Sequence, residues 1–238
     1  MKDWRYKSAQ DLGMGERERL GSARRETGLF AHLVQRVANT LVRRALAAYN
    51  GLRIEGLERL PDAPPMLLCA NHTSHLDALI LASVLPSRLR GSTYVISAGD
   101  VFFTKIHRAI FTTMMLNTLP ISRSGAGRHA LRLMRTRLVD EPCNYILFPE
   151  GKRSRDGELH AFKPGIGMLC AGSPCAVVPC WIEGAFASLP PFAKLPKPSH
   201  ICVRFGEPAS YEDRPNTKRG WIEIGEDLEQ RIGSLRPV

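Results

Sequence analysis

From residue 29 onward the apolar positions recur at helical spacing. Leu29, Phe30, Leu33, Val34, Val37, Leu41 and Ala45 share one side, with His32, Gln35, Arg36, Asn39 and Arg43 opposite. Sustained over about 20 residues, that period predicts an amphipathic helix. Its apolar stripe has two physical outlets, the core of a domain or a bilayer interface with the arginines at the headgroups. Residues 1–27 are polar, rich in Arg and Glu and without a sustained period, and read as a tail. Downstream, "GLERLPDAPP" (56–65) predicts a loop and Met66-Leu67-Leu68-Cys69-Ala70 a short buried strand. A polar run follows, Asn71-His72-Thr73-Ser74-His75. Leu76, Leu79, Ile80, Ser83 and Val84 then resume helical spacing as far as Pro86, with Thr73 or Ser74 placed to cap the first turn.

The strand-then-helix pattern repeats. Residues 92–98 read as a strand leading into a helix that carries Phe102, Phe103, Ile106, Ile110, Phe111 and Met114. Residues 144–148 form another strand, running into Pro149-Glu150-Gly151, and residues 175–182 and 200–208 add two more before a closing helix from Trp221 to Ile232. Alternation of this kind predicts an α/β fold with its polar residues at strand ends. At 238 residues the chain can bury one core of catalytic size. It divides into a tail (1–27), an amphipathic helical segment (28–56) and an α/β domain with a C-terminal helix (57–238).

Composition sharpens this picture in three places. The formal net charge is +10, and between residues 101 and 139 Lys105, Arg108, Arg123, Arg128, Arg132, Arg135 and Arg137 occur without a single Asp or Glu. Such a stretch attracts phosphate, whether on nucleic acid, a lipid headgroup, coenzyme A or the prosthetic group of acyl carrier protein. A nucleic-acid surface interleaves exposed aromatics with cations. Phe102, Phe103 and Phe111 instead share an apolar stripe, which argues against nucleic acid as a partner. The six cysteines contain no C-x-x-C pair and read as buried structural thiols in a reducing, cytoplasmic setting. Neither an apolar signal segment near Met1 nor a run of 18 apolar residues is present, so membrane contact without crossing is expected.

The polar run carries the candidate chemistry. With His72 in the loop and Asp77 in the first helical turn, the carboxylate can fold back onto one imidazole nitrogen and leave the other to take a proton from a hydroxyl. No Ser or Cys nucleophile is needed when that hydroxyl belongs to the substrate. A satisfied loop histidine beside a helix-start carboxylate is the plainer alternative. Zinc held by His72, His75 and Asp77 is disfavoured, because H-x-x-H-x-D is not a familiar metallo-hydrolase spacing. In "LFPEGKRSRDGELHAFKPG" (147–165), a tight turn, a carboxylate and the cations Lys152, Arg153 and Arg155 crowd a strand end.

Taken together, these stretches resemble the phospholipid/glycerol acyltransferase superfamily over roughly residues 50 to 210. The matching blocks, in the family's order, are Asn71-His72 with Asp77, Pro120-Ile121-Ser122-Arg123, Phe148 through Ser154, and Val178-Pro179-Cys180-Trp181-Ile182. The resemblance implies a mixed, mainly parallel sheet flanked by helices, with the N-terminal amphipathic segment at a membrane surface on the cytoplasmic side. It implies His72 as general base, Asp77 as its orienting partner, and Arg123, Glu150, Gly151, Lys152 and Arg153 as substrate-binding positions. The implied reaction moves a fatty acyl group from acyl-CoA or acyl carrier protein to a lipid hydroxyl, with no further cofactor. A thioester hydrolase and a non-catalytic lipid-binding member are the alternatives. Asn117, Pro120, Ser122 and Lys152 depart from the commonest family residues, so the acceptor is less constrained than the reaction.

Overall fold

The computed structural model describes residues 29–98, 116–121, 127–140 and 143–237. The predicted helix around Phe102–Met114 and the candidate phosphate ligand Arg123 lie outside them.

At the centre is β2 (Met66–Ala70), all five residues of which are fully buried. Its side chains alternate between two cores, which is why the strand reads as an unbroken apolar run. Leu67 and Cys69 enter the core covered by α4 (Gly127–Asp140), α5 (Gly165–Cys170) and α7 (Lys218–Gly233). Met66, Leu68 and Ala70 enter the one covered by α1 (Leu29–Asn50) and α2 (Asp77–Val84). The sheet is therefore a middle layer with helices on both faces.

Strands β5 (Asn144–Leu147) and β6 (Ala176–Glu183) flank β2, both parallel to it. Outward from β5 come β3 (Thr93–Ala98) and β4 (Thr118–Ile121), also parallel. On the other side β7 (Cys202–Phe205) runs antiparallel to β6 and parallel to β1 (Arg53–Glu55), while β8 (Ala209–Ser210) pairs antiparallel with β6. The sheet is mixed and mainly parallel, as expected from the resemblance. Two short helices, α3 (Ser87–Arg90) and α6 (Ala185–Ser188), complete the elements of the described residues, with a 3-10 turn at Leu57–Arg59 inside the predicted 56–65 loop.

Proline in an interior strand needs a reason, because it cannot donate to a ladder. Pro179 lies where β6 changes partners: β8 pairs with Ala176 and Val177, and β7 pairs from Cys180 onward. The Pro179 carbonyl points to that side, accepting from the Gly206 amide at 2.8 Å. The missing N–H therefore falls in the gap between two antiparallel neighbours, where no ladder bond is lost.

The predicted α1 helix is present, and its orientation is specific. Leu46 and Asn50 turn inward with Gln35 and Asn39, while Leu33, Val37 and Leu41 stand 59%, 54% and 59% exposed. The apolar stripe faces away from the domain. The side toward it holds two buried amides, which line a small cavity with Arg90 and Asn117.

Candidate active site

The parallel strands β2 and β5 are neighbours and end together, so the loops after Ala70 and Leu147 emerge side by side. Open α/β sheets commonly bind their ligands at this edge. Asn71, the first residue past β2, is nearly fully buried and locked to β6: its Nδ2 donates to the Ile182 carbonyl at 3.0 Å and its Oδ1 accepts from the Ile182 amide at 2.7 Å. This two-point clamp fixes where the next residue leaves the sheet.

That residue is His72. Its Nδ1 lies 2.8 Å from Asp77 Oδ2, which also accepts the backbone amides of Thr73 (2.7 Å) and Ser74 (2.8 Å). An oxygen accepting two amides acts as an acceptor toward the imidazole as well, so Nδ1 donates and Nε2 is the ring nitrogen left facing away from Asp77. Asp77 is completely buried, and the His72 side chain keeps 20% exposure. The His72 ring stacks on Phe148, the first residue past β5, at 4.1 Å and 19°, so the loop after the neighbouring strand sets its plane. The dyad is thus restrained in tautomer, in ring plane and at its backbone.

The turn before α2 serves the same geometry. Ser74 Oγ accepts the Leu76 amide at 3.1 Å, while Asp77, three residues on, reaches back to the Ser74 amide. These two bonds close the turn between the loop and the helix, which begins at Asp77 with Leu76 at its N-cap. One carboxylate therefore starts the helix and holds the imidazole. The sequence suggested Thr73 or Ser74 as the cap; the residue at the N-cap is Leu76, which makes no side-chain cap, and Ser74 Oγ instead braces the turn before it.

Glu150 reaches the loop from β5. It is 3% exposed; one oxygen accepts the His72 amide at 2.7 Å and the other the His160 amide at 3.3 Å. Burial pushes its carboxyl up to about 7 against the opposing pull of those two amides. The Ser154 amide donates to the His72 carbonyl at 2.7 Å, so His72 is gripped at both its N–H and its C=O by the 148–154 loop. Gly151 takes a left-handed φ of 71°, as this turn requires, and the Lys163 side chain lies over it. Lys152 is exposed beside the turn.

His75 joins this group through Arg153, whose Nη1 is within hydrogen-bond distance of His75 Nδ1. A guanidinium can only donate, so Nδ1 accepts and Nε2 donates to the Pro191 carbonyl at 3.1 Å. Burial first, and the Arg153 charge with it, holds the His75 pKa below its usual value.

The structure thus gathers His72, Asp77, Glu150, Gly151, Lys152 and Arg153 at one sheet edge, while Arg123 lies outside the described residues. Sequence reading placed Asn71 in a matching block without a role of its own and weighed His75 only as a disfavoured zinc ligand. An amide directly before the candidate base was the available signal for the first; the second becomes visible only once two distant loops meet. All six cysteines are free and buried. Burial raises the thiols of Cys175 and Cys202 to about 11, far from reactive thiolates.

A family model described as Acyltransferase matches residues 51–183. The chain is 33% identical over 163 residues to the chloroplastic 1-acyl-sn-glycerol-3-phosphate acyltransferase LPAT1 of Arabidopsis thaliana, covering 68% of this chain and 43% of that protein. To the human 1-acyl-sn-glycerol-3-phosphate acyltransferase beta it is 29% identical over 158 residues, 61% of this chain and 51% of the other. The chain spans about half the length of these relatives. The crystal structure of the 1-acyl-sn-glycerophosphate acyltransferase PlsC from Thermotoga maritima superposes with a TM-score of 0.69 at 21% identity, covering 87% of this chain and 83% of that one, a likeness of fold.

Proposed function

Because the chain belongs to the acyltransferase family, we propose that it moves an acyl group from a thioester, acyl-CoA or acyl carrier protein, to the free hydroxyl of 1-acyl-sn-glycerol 3-phosphate. The observation that carries the reading is the dyad: His72 Nδ1 bound to a buried Asp77 Oδ2, ring plane set by Phe148, Nε2 left as acceptor. The substrate hydroxyl gives its proton to Nε2 as its oxygen bonds to the thioester carbonyl carbon. The tetrahedral intermediate then expels the thiolate, which takes the proton back from the imidazolium. Asp77 stays ionised and stabilises the imidazolium while it exists.

Glu150 acts in this scheme as a positioning residue, since both its oxygens are engaged by backbone amides of the site loops. Arg153 and Lys152 supply positive charge for the acceptor's phosphate, with Arg123 as the further cation the family's second block provides. Arg suits that task because its planar fork grips two phosphate oxygens. The relatives' names support the choice of acceptor. The exposed Leu33-Val37-Leu41 stripe supports work at a bilayer surface, and the cytoplasmic side is the face expected from the resemblance. No described helix is long and apolar enough to cross a membrane.

The test offers labelled acyl-CoA and acyl-carrier-protein donors with a panel of lysophospholipids to the protein and to a folded His72→Ala variant. Labelled phosphatidate made by the parent, and reduced about a thousandfold or more in the variant, is the expected result. Free fatty acid formed at the same rate with and without acceptor identifies a thioester hydrolase instead. Equal product from parent and variant removes His72 from the chemistry.

A further inference from the structure

Between α6 and β7 the chain runs Leu189-Pro190-Pro191-Phe192-Ala193-Lys194-Leu195-Pro196-Lys197-Pro198. Four prolines stiffen it, and a turn closes its tip, the Ala193 amide donating to the Pro190 carbonyl at 3.0 Å. At that tip Phe192 is 73% and Leu195 78% exposed, the highest values of any large apolar side chain among the described residues. The Phe192 ring meets Phe186 edge-on at 6.2 Å, so it has a packed flank while its bulk stays in solvent. Lys194 and Lys197 alternate with these apolar residues, and no Asp or Glu falls between Glu183 and Glu207.

Two anchorages decide what this loop is joined to. On one side it hangs from the end of α1: Tyr49 donates to the Pro196 carbonyl at 3.3 Å, and Asn50 Nδ2 reaches Ser188 Oγ at 3.1 Å and the Lys197 carbonyl at 3.4 Å. On the other it holds the catalytic loop: Ser74 Oγ donates to the Leu189 carbonyl at 2.7 Å, the His75 amide to the same carbonyl at 3.3 Å, and His75 Nε2 to the Pro191 carbonyl at 3.1 Å. The segment that exposes the two apolar side chains therefore bridges the helix with the outward-facing stripe and the loop that carries the dyad.

We infer that residues 189–198 form a second membrane-contact element, in which Phe192 and Leu195 enter the interface of an anionic bilayer beside α1 and Lys194 and Lys197 meet its headgroups. A lipid interface accepts protruding apolar side chains without a matching pocket, whereas a protein partner must supply one. The contact between this loop and α1 makes the two apolar features neighbours. The lysines and the absence of carboxylates suit an anionic surface. Because the same loop grips Ser74 and His75, docking also fixes the height of the catalytic loop above the bilayer, where the acceptor's headgroup lies. The inference rests on the membrane-surface reading of α1 given above.

The experiment uses the full chain and vesicles of phosphatidylcholine with phosphatidylglycerol. In a Phe192→Trp variant, the fluorescence beyond that of the parent should shift to the blue with vesicles and be quenched by brominated lipid tails. Co-sedimentation of Phe192→Ser/Leu195→Ser should fall by about tenfold or more, as expected for losing two inserted side chains. No lipid-dependent change in the added fluorescence of Phe192→Trp, or unchanged sedimentation of the double variant, overturns the inference. So does a double variant that sediments like the parent but turns over acyl carrier protein poorly, since the tip then serves an acidic carrier. Neither binding assay requires acyl transfer. Insertion without His72-dependent product would sink the proposed reaction alone, whereas an α1 variant that loses binding while the loop variant keeps it would sink this inference alone.

Discussion

At the scale of single residues, two titratable groups beside the dyad make the site sensitive to pH in separate ways. His75 is held neutral by burial and by the Arg153 guanidinium, and it also faces His72, Asp77 and the Pro191 carbonyl. In its neutral form Nδ1 accepts from Arg153; once protonated it offers a second cation instead and repels the arginine. With a folded pKa below 6.5, the contact persists at neutral pH and is lost as acid passes that value. The acceptor's KM is therefore expected to stay level at neutral pH and to rise as the pH is taken down below about 6.5, with the thioester's KM little changed. In His75→Gln, which keeps an acceptor oxygen but does not titrate, the acceptor KM should stay flat. An equal pH dependence in both proteins would remove His75 from acceptor binding. Glu150 acts on stability. Its carboxyl is raised from 4.5 to about 7, so between those values the native state keeps a proton that the unfolded chain has released, and stability falls as pH rises through that window. Melting temperature should drop more for the parent than for Glu150→Gln between about pH 5 and about pH 8. A parallel profile would show that Glu150 ionises normally. The dyad itself was legible because His72 and Asp77 are five residues apart across a strand end. The Asn71 clamp was not, because its partner Ile182 is 111 residues away.

At the scale of elements, what a period in the sequence cannot report is direction. Leu33, Val37 and Leu41 announced α1, yet the same period fits a helix that buries its stripe and one that exposes it. Contact with α2 and the cavity around Arg90 decides that Gln35 and Asn39 face inward. Short elements such as α5 escape for a different reason: six residues give too little period to read. Its packing nonetheless depends on one position, Gly167, where a Cβ would run into the Trp221 backbone of α7. Helix and helix cannot approach so closely with any larger residue, so Gly167→Ala is expected to cost about 1 to 3 kcal/mol in urea unfolding. Gly165→Ala, nearer the start of the same helix, meets only Leu131 Cδ1 at 3.4 Å and should stay within about 0.5 kcal/mol. Equal effects at the two positions would mean that the α5–α7 contact is looser than the backbone positions imply.

At the scale of the whole molecule, a net charge of +10 and an outward apolar helix face would act on a bilayer, in the membrane-surface reading proposed above, by forces of different range. The charge acts over a Debye length, about 10 Å at 0.1 M salt, and shrinks as ionic strength rises. The stripe acts only on contact, and salt hardly weakens it. Binding to anionic vesicles should therefore fall several-fold between about 0.05 M and about 0.5 M salt and level off at a residual value. That residual is the share of Leu33, Val37 and Leu41. Replacing all three with serine should abolish it while leaving the salt-sensitive part, and neutral vesicles should retain the parent but not the triple variant. If the serine variant binds neutral vesicles as the parent does, α1 does not face lipid and its exposed stripe has another occupant. If the parent's binding vanishes completely at high salt, attraction is purely electrostatic and the hydroxyl of the acceptor must reach His72 without help from an inserted helix.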